Sequence, residues 1–380
     1  MDTAALSKPI WIDRRQALEH LAAELLRHTQ VAVDTESNSL FAYQEQVCLI
    51  QFSTPTTDYL LDPLALPDLS PLAPLFANPA IEKIFHAAEY DLICLKRDFD
   101  FTFANIFDTM QAARILGKTA FGLGAILEES FGITLNKRYQ RANWGERPLS
   151  APMLDYARMD THYLIPLRAR LAAELETSGR KPMAQEDFTR LCAVEAGLLH
   201  ENGQDWWRVS GGRDLTPQQA AVLQALCDYR DQQAHNANLP RFKVLNDDVL
   251  ITLAETCPQT LAELKPIPHL GPRNIEKHGV RLLAAIQRGL KSPPLHRPSH
   301  PRPDDAYLFR LDLLREWRKV TGRELGVDSD VILPRDTMEH IAQANPATLS
   351  ELQDQMPLLP WRFNRFGAEI LRVLPPKVKS

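Results

Sequence analysis

Three short acidic motifs place the strongest constraint on how this chain can fold, because their carboxylates are costly to bring together. Asp34 and Glu36 stand in Val-Ala-Val-Asp-Thr-Glu, Asp91 in His-Ala-Ala-Glu-Tyr-Asp-Leu, and Asp160 in Tyr-Ala-Arg-Met-Asp. Four acids gathered at one point repel each other and resist desolvation unless an opposite charge lies between them. Divalent cations supply that charge, and a pair of them about 4 Å apart is the usual arrangement for phosphodiester hydrolysis. The motifs therefore predict a metal-dependent nuclease.

Each motif also has an ordinary interpretation when it is taken alone. Asp34 and Glu36, two apart on a strand, project to one face, but Asp34 could cap a loop while Glu36 is solvated. Tyr156 and Asp160 share a helix face at i and i+4, yet a surface tyrosine near a carboxylate is common. Asp91, after the strand at 81–85, could be a helix-start acid that the helix dipole favours. The order and the combination of the motifs make the functional interpretation the stronger one.

The pattern of apolar residues predicts an α/β domain followed by helices. A strand and an amphipathic helix are expected over residues 11–28, and Ser150 is expected to begin the helix that carries Tyr156. After the last expected strand, near Phe101, only helices follow. This order predicts a mixed sheet flanked by helices. The remaining expected strands lie at 31–33, 47–52, 59–61 and 81–85, and the expected helices of this region at 69–76 and 88–97.

The C-terminal half contains an internal repeat at an offset of 88 residues, without a gap. Arg230 falls on Arg318, and Leu245 falls on Leu333. A repeat of this kind predicts two small helical domains of common ancestry. The copies are too few, and the period is too long, for a solenoid. The proline-rich segment 291–303 between them is expected to be an irregular, semi-rigid linker.

The motifs resemble those of a known family. Asp-x-Glu, a later helical Asp and Tyr-x-x-x-Asp are the pattern of DEDD exonucleases of the tyrosine type. Phe85-His86-Ala87-Ala88, Phe107-Asp108-Thr109 and Trp144-x-x-Arg147-Pro148-Leu149-Ser150 resemble bacterial ribonuclease D in particular. The C-terminal half resembles the HRDC domain shared by RecQ-type helicases and ribonuclease D. The resemblance implies a ribonuclease H-like 3′-5′ exonuclease domain at 1–205 (core about 10–176, then connecting helices), and two all-helical HRDC-type domains at 206–290 and 304–376.

The resemblance also implies the chemistry. Asp34, Glu36, Asp91 and Asp160 would hold two Mg²⁺ or Mn²⁺ ions, and Tyr156 would orient the attacking water. The expected reaction removes nucleotides from the 3′ end of RNA with a single-stranded tail, typically a tRNA precursor, and releases nucleoside 5′-monophosphates. A monomer is expected. The alternatives are the same chemistry on DNA, or a catalytically silent adaptor that binds RNA.

Several other residues are candidates for weaker roles. Basic side chains around a tryptophan suit a track that follows a nucleic-acid backbone and stacks bases; the alternative is a solvated charge run with a core tryptophan. His86 is expected to be a packing or hydrogen-bonding residue rather than a base. Asp108 and Glu89 could support the site from an outer shell, or each could be a helix cap or a surface acid. The predicted track consists of Lys137, Arg138, Arg141, Trp144 and Arg147, and further candidate phosphate contacts are Arg310, Arg315, Arg318, Lys319, Arg362, Arg365, Arg372, Lys377 and Lys379.

Charge and cysteine usage agree with these expectations. Residues 1–205 carry a net charge of −9 and residues 206–380 a net charge of +4, which fits an acidic metal site followed by a phosphate-binding half. The five cysteines form no C-x-x-C pair, which argues against a disulfide framework and a zinc site. We expect no signal peptide and no membrane span, and a reducing cytoplasm as the location.

Overall fold

The computed structural model describes residues 7–195, 205–297 and 304–376, and these form two compact units. The first unit contains residues 7–37, 47–195 and 304–376, and the second contains 38–46 and 205–297. Residues 298–303 of the predicted linker, and the end of the predicted connecting segment at 196–204, lie outside the described residues. In the described part of the chain, every helix is too short or too polar to cross a membrane.

A six-stranded mixed sheet forms the centre of the first unit, in the order β1-β4-β3-β2-β5-β6. β3 is antiparallel to both β2 and β4, and the other neighbouring strands are parallel. The predicted α/β class is therefore confirmed. The strands are β1 Ile10–Ile12, β2 Gln30–Ser37, β3 Val47–Ser53, β4 Asp58–Leu61, β5 Glu82–Phe85 and β6 Ile106–Asp108.

Within the described residues 7–195, eight α-helices accompany this sheet. Val31 and Val33 of β2 are fully buried against the first helix, whereas Ala32 packs on the opposite face. Because side chains alternate along a strand, Asp34 continues the face of Ala32. The helices are α1 Arg15–Leu25, α2 Ala73–Ala77, α3 Glu89–Phe99, α4 Thr109–Ile115, α5 Leu123–Phe131, α6 Ala151–His162, α7 Leu164–Thr177 and α8 Lys181–Cys192.

Three local predictions need correction. The last strand of the sheet is β6, and no strand forms at Phe101. The alternating aromatic side chains around Phe101 form a cluster instead, in which the ring centres of Phe101 and Phe76 are 4.8 Å apart. The helix expected over 69–76 begins as a 3-10 turn at Ser70–Leu72, because Pro71 and Pro74 each lack a donor. Ser150 precedes α6 as predicted, but its side chain makes no capping hydrogen bond.

The internal repeat is confirmed helix by helix. Arg230 donates to the carbonyl of Leu245 at 2.8 Å, and Arg318 donates to the carbonyl of Leu333 at 2.8 Å, so one bond, buried in the first repeat and half-buried in the second, recurs at the predicted offset. The first helical repeat comprises α9 Pro217–Ala237, α10 Arg241–Val244, α11 Asp247–Thr256, α12 Leu261–Leu264 and α13 Pro272–Lys291. The second helical repeat comprises α14 Asp305–Leu325, α15 Ser329–Ile332, α16 Arg335–Ala344, α17 Leu349–Asp354 and α18 Pro360–Val373.

The second helical repeat is fixed to α8 by a buried arginine. Arg362 is 0% exposed, and its guanidinium donates to Glu186 and Asp187, each at 2.8 Å, and to the carbonyl of Val331. This arginine is therefore not free to contact phosphate, which corrects the sequence expectation for this position. The equivalent residue of the first repeat, 88 positions earlier, is Asn274, so this attachment is specific to the second repeat.

Replacing Arg362 with leucine should lower the free energy of unfolding of the first unit by about 3–5 kcal/mol, because the buried carboxylate of Glu186 would lose the guanidinium that compensates its charge. Urea unfolding measures this difference. The control is Arg365→Leu, since Arg365 is 54% exposed and only reaches Glu369 at 3.6 Å. An Arg362 variant as stable as the Arg365 variant would contradict the attachment.

The segment between β2 and β3 belongs to the second unit. The hydroxyl of Tyr43 donates to Asp231 at 2.8 Å, and Arg241 donates to the same carboxylate oxygen at 2.6 Å. The backbone N–H of Tyr43 donates to Asn238, and Lys243 lies 3.9 Å from the centre of the Phe41 ring. The chain that follows Glu36 is thus held by side chains of the first helical repeat.

Candidate active site

The acidic motifs meet where β2 ends. Asp34 and Glu36 lie in the second half of β2, on the side covered by α6, and Tyr156 and Asp160 lie one turn apart on that helix. All four side chains line one open cleft of about 400 Å³. The structure therefore brings together two of the three predicted motifs at a single surface.

Asp91 reaches the same place from the other face of the sheet. It lies in the first turn of α3, is only 8% exposed, and accepts a hydrogen bond from the hydroxyl of Thr35, which stands between Asp34 and Glu36. The turn before α3 is held by Asp108, whose carboxylate accepts from the backbone N–H groups of residues 87 and 88 at 3.1 and 2.8 Å. Asp108 supports the helix that presents Asp91. Sequence reasoning did not identify Thr35.

Burial raises the pKa of all four carboxyl groups, and repulsion among them raises it further. The pKa of Glu36 rises to about 10, because of burial and then the charges of Asp34 and Asp160. Burial, followed by the charge of Asp91, raises the pKa of Asp160 to about 7. The pKa of Asp34 and that of Asp91 also lie well above the usual range, for the same two reasons in the same order. The cluster is therefore short of positive charge.

The donor set fits divalent cations by its chemistry. Four carboxylates offer only oxygen ligands, which Mg²⁺ and Mn²⁺ prefer. Within the three described ranges, no three His, Cys, Asp or Glu side chains converge at the spacing of ligands to one metal ion. Like charges without a counter-ion keep apart. Side-chain rotation would therefore have to accompany cation binding.

Tyr156 lies between two aromatic rings. Its ring centre is 6.1 Å from that of Tyr139, edge-on, and 5.9 Å from that of Trp144. Burial and then the charges of Asp160 and Glu36 raise the pKa of Tyr156 far above its ordinary value. The hydroxyl therefore keeps its proton at neutral pH, so it can orient a water molecule but cannot serve as a base. The contribution of Tyr139 was not predicted from the sequence.

Two residues of the predicted nucleic-acid track have packing roles instead. Trp144 is only 1% exposed and packs with Leu49 and Leu60 beneath α6, so it offers no face for a base. Arg147 donates to both oxygens of Asp62, at 2.7 and 2.6 Å, and to the carbonyl of residue 48. These placements correct the predicted contacts and match the alternative of a core tryptophan.

The other three residues of the track are exposed. Lys137 lines the same cleft as Asp34, and Arg138 lies over the ring of Tyr139 at 5.6 Å. Arg141 is exposed near them in sequence. Their contact with nucleic acid stays a prediction.

His86 and Glu89 have separate roles. Nδ1 of His86 lies 2.9 Å from the hydroxyl of Thr109, and burial lowers the pKa of His86 to about 4, so the ring is neutral at pH 7. This agrees with a packing role rather than with a base. Glu89 is exposed and lines a different cleft, of about 550 Å³, together with Arg190 and Asp336, which pair at 2.9 Å.

The raised pKa values predict how the metal-free protein responds to pH. Burial raises the pKa of Asp160 from 3.8 to about 7 and the pKa of Glu36 from 4.5 to about 10. At a pH between the ordinary pKa of each group and its raised pKa, the folded state holds more protons than the unfolded state. The free energy of unfolding therefore decreases as the pH rises through this range. The melting temperature in chelator should fall between pH 5 and pH 8, and Asp34→Asn should reduce that slope. An identical slope in both proteins would contradict this prediction.

Comparison with known proteins agrees with this fold and site. Residues 9–176 match the family described as 3'-5' exonuclease, and residues 219–286 and 308–374 each match the HRDC domain. The chain is thus a 3′-5′ exonuclease with two HRDC domains. Ribonuclease D of Nitrobacter hamburgensis is 30% identical over 360 residues, which cover 93% of this chain and 92% of that protein. The chain belongs to the ribonuclease D family.

Solved structures support the same assignment. Escherichia coli RNase D, described as an exoribonuclease involved in structured RNA processing, superimposes with a TM-score of 0.70 at 25% identity, over 98% of this chain and 100% of that one. The catalytic core of RRP6 from Trypanosoma brucei gives 0.68 at 27% identity, over 77% and 82% of the two chains. The ribonuclease H-like fold and the predicted 3′-5′ exoribonuclease activity are confirmed.

Proposed function

We propose that Asp34, Glu36, Asp91 and Asp160 hold two divalent cations, Mg²⁺ or Mn²⁺, and that Tyr156 orients the water that attacks RNA. The observation that carries this proposal is the convergence of four largely buried carboxyl groups with no compensating positive charge among the described residues between them. Burial and mutual repulsion raise the pKa of all four carboxyl groups, so positive charge placed among them is strongly favoured.

The proposed reaction is hydrolysis of the 3′-terminal phosphodiester. The oxygen of a water molecule bonds to the terminal phosphorus, the bond from phosphorus to the preceding 3′ oxygen breaks, and a nucleoside 5′-monophosphate leaves. One proton of that water ends on the released 3′ oxygen, which becomes the new terminal hydroxyl, and the other passes to solvent as the monophosphate ionises. When bound, the cations supply a water of lowered pKa and positive charge at the leaving oxygen. Tyr156 retains its proton, and packing against Tyr139 and Trp144 fixes its ring, so that its hydroxyl can hold the attacking water in line.

The proposed substrate is RNA with a single-stranded 3′ end, and tRNA precursors are the class that the family resemblance suggests. A free end has to enter the cleft between Asp34 and Tyr156, beside which Lys137 offers a positive charge. We further propose a monomer that works in the cytoplasm, where the five cysteines, which form no disulfide, would stay reduced.

A basic stripe on α13 is the surface we propose for the body of the RNA. Five exposed Lys and Arg side chains fall within about a quarter of the helix circumference. The corresponding face of α18 in the second repeat lacks this stripe, since Lys277 corresponds to Arg365 but Arg273 corresponds to Trp361 and Arg281 to Glu369. The stripe consists of Arg273, Lys277, Arg281, Arg288 and Lys291.

Neutralising part of this stripe should weaken RNA binding and its dependence on salt. In the variant Lys277→Gln/Arg288→Gln/Lys291→Gln, the slope of log affinity against log salt should fall by about 2–3, because each phosphate contact contributes about one counter-ion. Fluorescence anisotropy at several salt concentrations measures this slope. The control removes three exposed basic side chains that are not candidate phosphate contacts, Lys181, Arg323 and Arg335. Equal slopes in the two variants would rule out the stripe.

The test of the proposed activity is a time course on 5′-labelled RNA that has a tRNA-like stem and a short 3′ extension. Reactions contain Mg²⁺, Mn²⁺ or chelator, and parallel lanes contain Asp34→Asn and a DNA copy of the substrate. We expect a ladder that shortens from the 3′ end, lost with chelator and in the variant. Cleavage that persists in chelator would overturn the proposed mechanism.

The same gel distinguishes the two alternatives. Equal shortening of the DNA copy would indicate an enzyme that does not select for RNA. RNA that is bound in every lane but never shortened would indicate a silent adaptor. All four acids and Tyr156 are present in this chain, which favours the active enzyme.

A further inference from the structure

Gln51 is a buried amide without a hydrogen-bond partner. It lies in the middle of β3 and is 0% exposed, and neither its Nε2 nor its Oε1 bonds to any described residue. Buried amides are almost always paired, because losing water without a partner lowers stability. The strand could hold an apolar residue here at no such cost. A polar side chain in this state points to a partner that arrives during function.

The register of the sheet places Gln51 beside the acidic cluster. Gln51 is the direct cross-strand partner of Asp34 in the antiparallel pair β2–β3. Side chains of such a pair project to the same face, with Cβ atoms about 5 Å apart. The amide of Gln51 is therefore within reach of the carboxylate of Asp34.

α6 closes over the same position. Two residues before Gln51, Leu49 packs in the cluster that contains Ala157, and two residues after it, the hydroxyl of Ser53 lies 2.7 Å from that of Thr161. Because alternate residues of a strand share a face, Gln51 lies beneath the turn between Ala157 and Thr161. That turn carries Asp160.

We propose that Gln51 is a positioning residue for the cation site: its amide N–H groups hold the carboxylates of Asp34 and Asp160 when the cations are bound. When the carboxylates of Asp34 and Asp160 rotate toward a shared cation site, one oxygen of each comes within hydrogen-bond distance of the amide N–H groups of Gln51. This inference rests on the proposed function, since it assigns Gln51 a role only toward that site.

The test compares Gln51→Met with the wild type in two measurements. Methionine has a similar volume and no amide, so in chelator the variant should melt about 2 °C or more above the wild type, because the unpaired group is gone. Calorimetric titration should show that the affinity of the Gln51→Met variant for Mn²⁺ is about 10–100-fold lower than that of the wild type. A loss of this size is typical when a group that orients metal ligands is removed. Gln51→Leu serves as a second apolar variant.

Ser53→Ala is the matched control on the same strand face. It removes a buried hydroxyl that is already paired with Asp58 and Thr161, so it should lower the melting temperature and leave Mn²⁺ affinity unchanged. Mn²⁺ affinity of both Gln51 variants within twofold of the wild type would overturn the inference. Wild-type protein that binds no Mn²⁺ would instead overturn the proposed function itself, so the two failures are distinguishable.

Discussion

Asp34→Asn should abolish exonucleolytic cleavage and, in the same protein, stabilise the metal-free fold. Turnover should fall by about 10³-fold or more, because a bound cation contributes several kcal/mol to the transition state. In chelator at pH 8, replacing one of the four crowded carboxyl groups with a neutral amide should add about 1 kcal/mol of stability, seen as a melting temperature about 2–3 °C higher. Gel-based turnover and thermal unfolding measure the two effects.

The opposite signs of these effects separate a functional acid from a structural one. Asp100→Asn is the control, since Asp100 is exposed, ends the helix that carries Asp91, and has a left-handed backbone that asparagine adopts readily. It should change neither turnover nor stability appreciably. If Asp34→Asn destabilised the metal-free protein, the account of an uncompensated cluster would be wrong.

Tyr156→Phe should lower turnover by about 10²-fold, while its affinity for Mn²⁺ should stay within about twofold of the wild-type value. The hydroxyl keeps its proton, so its loss removes the hydrogen bond that orients the attacking water and leaves the carboxylates intact. The ring of phenylalanine can still pack between Tyr139 and Trp144. Single-turnover cleavage and Mn²⁺ titration measure the two quantities.

Tyr163→Phe is the matched control, because Tyr163 directly follows the same helix and its ring packs on Phe131. It should leave turnover unchanged. Full turnover in Tyr156→Phe would remove Tyr156 from the mechanism. A parallel loss of Mn²⁺ affinity would instead assign the tyrosine to the cation site.

The parts of the site that follow from local geometry were predictable from the sequence. Asp34 and Glu36 are two apart on a strand, and Tyr156 and Asp160 are four apart on a helix, so each pair shares a face whatever the rest of the fold does. The helical repeat was equally accessible, because an ungapped offset of 88 residues keeps equivalent bonds at Arg230 and Arg318.

The parts that depend on distant contacts were not predictable. Trp144 and Arg147 look like a nucleic-acid track in the sequence, but Arg147 pairs with Asp62, 85 residues away, and thereby secures the loop that holds Trp144. Arg362 likewise looks like a phosphate contact until its buried partner Glu186 is known. Gln51 gives no sequence signal, since its meaning lies in its register with Asp34.

Counting the Mn²⁺ ions bound per chain is the decisive measurement for the proposed two-cation site. Equilibrium titration of the full chain at pH 8, read by electron paramagnetic resonance of free Mn²⁺, gives the number of sites and their affinities. The account predicts two ions per wild-type chain, and loss of tight binding in Asp34→Asn while Asp100→Asn keeps both. Wild-type protein that degrades RNA without binding Mn²⁺ or Mg²⁺ at these carboxylates would contradict it.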